Sequence, residues 1–441
     1  MTYKSLIIIV LIFLSIGAGA GWYFFRPAAP APDGAAGDAV SDTGYFPSTG
    51  NSSGDSSGKG SGGATIIKPS DQADGGDNLN ANVNVNVPVM RQLVSSPVSG
   101  ATILTHGSST YVRYIEQNTG HMSEIAATEK VSNKITNTTI PKTYKIFWGP
   151  KGTAVVAKMF GDEGRMNILF ATTTIPLKAT TTEETYRTFT PDFGSSIGTL
   201  DGLLLPSIIK SIAVSPDSNK LFFLLKTESG TVGVISNFKD AVSAKAQIPI
   251  FQSRLSEWLS DWPGSDIILL NSRPSSGITG LTYLLNAKTK RTEKILEGMG
   301  LTAKASPDTK KVIFATGEGS GLKTFLYNIN TNKKLAFPLQ TLPEKCTFSF
   351  DSRYAYCGVP AQLPLGEYPD DWYKGKIQFN DAIWKVDLDN LISTVISPTN
   401  TSRTSRIIDA IELKTDQTGD LLIFKNKIDD TLWALTLETG R

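Results

Sequence analysis

"SPDSNKLFF" (residues 215–223) and "SPDTKKVIF" (residues 306–314) share Ser, Pro, Asp, a Lys at the sixth place and a closing Phe. Proline presets the backbone of a turn, the short Asp side chain caps it, and the apolar run that follows reads as a buried strand. Each copy therefore marks a hairpin. Moving outward, "WPGSDIILL" (262–270), "GPKGTAVVA" (149–157), "SFDSRYAYC" (349–357) and "TDQTGDLLI" (415–423) follow the same plan. Measured from the second position of each copy, 150, 216, 263, 307, 350 and 416, the steps are 66, 47, 44, 43 and 66 residues. Three of the five match the roughly 40–50 residues of a propeller blade.

Further strands follow each hairpin, as in "LTYLLNAKTKRTEKI" (281–295), "TFLYNINTNKKLAF" (324–337) and "IWKVDLDN" (383–390). Four short strands per unit is the propeller count, so the expected fold is all-β, a seven-bladed β-propeller over residues 91–441. The first blade is expected from "GATIL", "TYVRYIE", "HMSEIA" and "KVSNKIT". The last unit supplies only three strands before the chain stops at "LWALTLETGR" (432–441), while residues 91–95 read as an outer strand with nothing before it to pair with. Pairing those two ends would close the ring and remove an exposed sheet edge.

The Ser-Pro-Asp hairpins followed by "LYNINTNKK"-like segments resemble the TolB-type, WD-like β-propeller repeat of bacterial exported proteins. The resemblance covers about residues 91–441. Two copies depart from it, Phe350 standing in place of Pro and Thr415-Asp-Gln lacking Pro altogether. It implies the fold and an exported location, and no activity comes with it.

Composition narrows the function classes. The 441 residues include 43 basic and 41 acidic side chains, a formal charge of +2, with no long basic run, so no nucleic-acid footprint is present. Two histidines (His106, His121) and two cysteines (Cys346, Cys357) are too few and too scattered for a zinc site or a Cys/His nucleophile pair. No nucleophile elbow, phosphate-cradling glycine loop or His-Glu metal motif occurs, so neither metal nor cofactor is expected.

Residues 6–25, "LIIIVLIFLSIGAGAGWYFF", form an uncharged run of twenty. As a helix it would span roughly 30 Å, the thickness of a bilayer core. The segment 1–26 is therefore expected to be a single-pass transmembrane signal anchor, with Trp22, Tyr23 and Phe24 at one interface. Ala18-Gly19-Ala20 keeps a cleavable signal peptide as the alternative. Residues 27–90 are rich in Pro, Gly, Ser, Asp and Asn, too poor in large apolar side chains to offset the entropy of ordering. They are expected to be a disordered linker reaching on the order of 40–50 Å.

Both 66-residue steps exceed their neighbours, which places insertions in two blades, and insertions are where function often lies. In the sixth blade "VPAQLPLGEYPDDWYKGKIQFND" separates the second strand from the third; the other insertion surrounds "TPDFGSSIGTLDGLLLP" (190–206). Both are expected on one rim. Tyr368, Asp370, Asp371, Trp372 and Tyr373 combine aromatic platforms with carboxylates, as a binding site for a sugar or cationic peptide would; the alternative is that Trp372 and Tyr373 pin a long loop over the channel. Convergence of Asp370, Asp371 and Asp381 in one pocket would instead mark an acid/base site. Cys346 and Cys357 are equidistant from the turn at Asp351 and Ser352, so an unslipped hairpin sets them opposite each other, within disulfide range, with buried thiols as the alternative.

These readings lead to a membrane-tethered, extracytoplasmic propeller that is not an enzyme. Its expected role is to bind an envelope protein or glycan through one face. The alternative is an envelope hydrolase or lyase using the inserted loops.

Overall fold

At the Ser-Pro-Asp turns the Ser215 hydroxyl donates to Asp217 at 2.5 Å and accepts the Lys220 amide at 2.9 Å, while Asp217 accepts the Asn219 amide at 3.1 Å. Ser306 and Asp308 repeat the arrangement, as do Ser349 and Asp351. The fourth residue of each turn lies in the left-handed region, Ser218, Thr309 and Ser352 having φ of 58, 56 and 61°. Proline is thus dispensable, which is why Phe350 is tolerated. In the last copy Asp416 takes the serine's role, accepting the Leu421 amide at 3.0 Å, and Gly419 supplies the positive φ.

The computed structural model describes residues 90–107, 109–161, 164–174, 197–397 and 406–437. The expected anchor and nearly all of the expected linker lie outside the described residues. Among the described residues no helix is long and apolar enough to cross a membrane.

Among the described residues twenty-eight strands form seven four-stranded antiparallel sheets. After β1 (Met90–Val94), the first blade is β2 (Val98–His106), β3 (Ser109–Glu116), β4 (Met122–Ala126) and β5 (Ser132–Lys134), and the second is β6 (Thr143–Trp148), β7 (Ala154–Phe160), β8 (Met166–Thr174) and β9 (Thr199–Leu205). The third is β10 (Ile209–Val214), β11 (Lys220–Thr227), β12 (Gly230–Asn237) and β13 (Ile248–Ser253). The fourth is β14 (Trp258–Asp261), β15 (Ile267–Ser272), β16 (Thr279–Asn286) and β17 (Thr292–Met299). Next come β18 (Thr302–Ala305), β19 (Lys311–Glu318), β20 (Gly321–Asn328) and β21 (Lys333–Ala336), then β22 (Cys346–Phe348), β23 (Tyr354–Pro360), β24 (Asp381–Asp387) and β25 (Ser393–Ser397). The seventh blade is β26 (Ala410–Thr415), β27 (Leu421–Asn426), β28 (Leu432–Thr436) and, on its outer edge, β1.

The ring therefore closes by joining its ends. Met90, Arg91, Gln92 and Val94 pair with Leu435, Ala434, Trp433 and Leu432. Leu93 and Val94 are buried, and Arg91 reaches into the first blade to donate to the Ala127 and Glu129 carbonyls. Closure converts the most exposed edge of the sheet into an internal ladder.

Second strands sit between two neighbouring blades, which is why "LFFL" (221–224) in β11, "ILL" (268–270) in β15 and all of β27 are buried without alternation. The core is accordingly distributed, with one apolar cluster at each of the seven blade interfaces. An eighth cluster, of Ala315, Leu322, Leu342, Tyr368, Trp372 and Phe379, lies between the sixth-blade insertion and the blades beneath it.

Strand direction defines two faces. The links between blades and the second-to-third connections open on one, here the upper; first-to-second turns and third-to-fourth connections open on the lower. The expectation that both insertions share a rim is corrected on this basis. Residues 199–205 are not loop but β9, the outer strand of the second blade, paired along its length with β8. The extra residues fall between Thr174 and Thr199, so the described ends of that third-to-fourth connection stand at the lower face, and residues 175–196 lie outside the described residues. Residues 361–380 belong to the upper.

Candidate functional site

Residues 361–380 leave β23 and return at β24, folding across the upper face with one short helix, α1 (Asp370–Tyr373). Tyr368 is buried, and its hydroxyl donates to the Pro364 carbonyl at 2.6 Å. Its own carbonyl presses on Gly300, in the link between the fourth and fifth blades, where a Cβ would come within 2.7 Å of it and where φ is +56°. Only glycine fits there without strain.

Trp372 points down into the ring. Its indole nitrogen donates to both oxygens of the buried Asp409, at 3.2 and 3.0 Å, and the Phe379 amide adds a third bond at 3.2 Å. Lys345, fully buried, donates to Asp409 and to the Ala410 carbonyl at 3.1 Å, and lies 2.7 Å from the Asp381 carboxylate. Asp381 also accepts the Ala410 amide at 2.7 Å. The Lys345 ammonium sits 5.3 Å from the Trp372 ring centroid and 4.9 Å from that of Phe379, and Lys427 covers Trp372 from another side at 4.9 Å. One buried lysine thus serves two buried carboxylates, and burial raises the Asp381 carboxyl to about 6 despite Lys345 beside it.

The carboxylates do not converge. Asp370 accepts the Ser276 amide of the fourth blade and pairs with Lys374 at 3.3 Å; Asp371 accepts the Glu367 amide at 2.9 Å and pairs with Lys376 at 2.8 Å. The Ser276 amide holds Asp370 below the ordinary carboxylate range, and the Lys376 hydrogen bond does the same for Asp371, so both are bases already paired. Asp381 lies beneath them, fully buried. Tyr373 is 40% exposed, and its hydroxyl donates to Glu344, whose carboxyl is raised by burial. Among the described residues no group of three or more His, Cys, Asp and Glu is arranged to hold a metal.

Cys346 and Cys357 face each other in the β22–β23 register and are joined by a disulfide with Cα atoms 4.1 Å apart. The bond lies in the core between the fifth and sixth blades.

Sequence reasoning passed over Lys345, Asp409 and Glu344. A lysine immediately before a buried cysteine, and an aspartate inside "IIDAIEL" (407–413), were the available signals. It also passed over lysines of the inner strands and of the second strand β7 beside them. Lys145 and Lys158 oppose each other on β6 and β7, and Lys158 donates to the Lys210 carbonyl at 3.4 Å. Burial first, then the charges of Lys145 and Lys210, bring the Lys158 ammonium down to about 8.

No family model matches the chain, and no curated protein does. Solved structures match over most of its length. An oligogalacturonate lyase in complex with manganese is 10% identical with a TM-score of 0.45, covering 78% of this chain and 97% of the lyase. TolB from Acinetobacter baumannii is 12% identical with a TM-score of 0.36, over 77% and 80% of the two chains. A puromycin-hydrolyzing peptidase from Mycobacterium tuberculosis is 11% identical with a TM-score of 0.44, over 75% of this chain and 50% of the peptidase. The described residues of the chain form an all-β, seven-bladed propeller. The expectation that it is not an enzyme is corrected: the structures it is similar to include lyases and a peptidase. At such identities the likeness assigns no activity.

Proposed function

We propose that this is an extracytoplasmic propeller, anchored in the cell membrane by residues 6–25, that takes an extended partner, envelope protein or glycan, across the face roofed by residues 361–380. The observation that carries the reading is that the roof is held from beneath. Trp372 and Tyr368 are locked in the core, and Asp370, Asp371 and Tyr373 each have a fixed partner, so the exposed groups above them are preorganised. Leu365, 79% exposed, and Ile278 add apolar contact area on the same face. A photo-crosslinker placed at Leu365 in intact cells is expected to capture a discrete adduct, while one at Lys333, on an outer strand, captures none. Equal labelling at both positions would remove the reading.

A second reading, an envelope hydrolase or lyase, is favoured by Lys158. An ammonium brought down to about 8 supplies neutral amine at mildly alkaline pH, able to accept a proton from a bound substrate. Envelope polysaccharide and peptide fractions incubated with the protein would be read for new chain ends. Product formation that survives Lys158→Met would dismiss this residue as the base.

A further inference from the structure

The inner strands of a propeller line its central channel, and here they carry an excess of positive charge. Lys145 and Lys158 are directly opposed across the β6–β7 ladder, an arrangement of like charges that destabilises a sheet. Both ammoniums lie near the Phe147 ring, at 5.6 and 5.9 Å. Lys210, at the start of the next inner strand, joins them through the bond from Lys158 to its carbonyl. Lys304 and Lys414 occupy equivalent places in their blades, two residues before the turn-forming Ser306 and Asp416.

Lys304 and Lys414 are also bonded alike. Each Nζ donates to a backbone carbonyl of the next inner strand, Lys304 to Cys346 and Lys414 to Ala101, both at 2.7 Å. A carbonyl takes one of the three ammonium protons and none of the charge. Burial depresses both ammoniums, and each feels the charge of Lys145.

Compensation is thin. The acids facing these groups are Glu412, Asp261 and Glu344; Asp261 accepts the Trp262 amide, and Glu344 is bonded to Tyr373. Among the described residues none of the five lysines has a carboxylate within ion-pair distance, whereas the exposed Lys288, Lys294 and Lys323 do. Unpaired charge concentrated where the blades meet costs folding free energy, and a bound counter-charge offsets that cost.

We propose that Lys145, Lys158, Lys210, Lys304 and Lys414 form a binding site in the channel for a multiply charged anion bearing phosphate or carboxylate groups. The site is built from the inner strands carrying Lys145, Lys210, Lys304 and Lys414, with Lys158 on the adjoining second strand β7, rather than from residues 361–380, so it stands or falls apart from the partner reading above.

Calorimetric titration of the full chain with sodium pyrophosphate and, separately, sodium citrate, at constant ionic strength set with sodium chloride, tests it. Saturable binding of at least one anion is expected, and the preferred one separates phosphate from carboxylate recognition. The double variant Lys145→Met, Lys210→Met changes two exposed side chains and should weaken that binding about tenfold or more, the scale of lost charge-assisted hydrogen bonds. Lys288→Met, which removes an outer-surface pair, should leave it unchanged. Lys304→Met should raise the melting temperature without anion and shrink the rise produced by pyrophosphate. Failure of both anions to bind above the chloride background, or equal affinity in the double variant and the parent, would overturn the proposal. So would an unaltered pyrophosphate-induced shift in Lys304→Met.

Discussion

Asp381→Asn and Asp409→Asn change two buried carboxylates on the same lysine, yet they should act in opposite directions. Asp409 accepts bonds from Trp372, the Phe379 amide and Lys345, so its charge is fully used. Exchanging it for Asn removes an acceptor beneath the indole and leaves Lys345 partly unpaired, a loss of about 3–5 kcal/mol for a broken buried pair. Asp381 is different. One of its oxygens has no hydrogen-bond partner, the other takes Lys345 and the Ala410 amide, and burial lifts the carboxyl to about 6. Relative to an ordinary carboxyl, holding it ionised in the folded chain costs on the order of 3 kcal/mol. Asn removes that cost but leaves an amide NH2 without an acceptor, about 1–2 kcal/mol, so a net gain of about 1 kcal/mol is expected at pH 7.5.

The pH dependence distinguishes this from a packing effect. A folded-state carboxyl raised above its unfolded value contributes stability that is fully present below about pH 4 and is lost as the pH rises through 6. Between pH 7.5 and pH 5 the parent should therefore gain about 1 kcal/mol from Asp381, and Asp381→Asn should not. Urea denaturation of the parent and both variants at the two pH values reads this directly. Equal destabilisation by the two substitutions, or an advantage of Asp381→Asn that widens toward pH 5, would refute the reasoning.

Removing residues 90–94 strips Leu93 and Val94 from the core and bares the edge of β28, for a loss on the order of 3–6 kcal/mol; an unchanged melting temperature would contradict closure of the ring. Trp372→Ala empties a buried indole site at about 3–5 kcal/mol and should also abolish crosslinking from Leu365, because the roof loses its anchor. Without reductant, Cys346 and Cys357 should resist alkylation and the intact mass should be that of the oxidised chain; reduction should cost about 2–3 kcal/mol for so short a loop. Gly300→Ala forces a Cβ against the Tyr368 carbonyl at a positive φ and should destabilise by at least 1 kcal/mol, measured by thermal melting.

The blades were legible in the sequence because each is made by neighbours. A Ser-Pro-Asp turn is closed by hydrogen bonds spanning five residues, and the apolar run after it declares a strand whatever surrounds it. Even closure could be read, since three strands at one end and one at the other leave a single consistent pairing. The opposition of Cys346 and Cys357 followed from symmetry about their turn. That residues 199–205 finish an outer strand could not be read, because an inner strand that starts there would look like the same apolar run. Lys345 and Asp409 are 64 residues apart and meet only when the sixth blade stacks on the seventh. Lys145, Lys304 and Lys414 stand on the inner strands of three different blades, which only the closed ring sets around one axis. Local backbone chemistry repeats along the chain and so can be read from it, whereas a charge acquires its partner, its burial and its purpose from whatever the closed ring brings beside it.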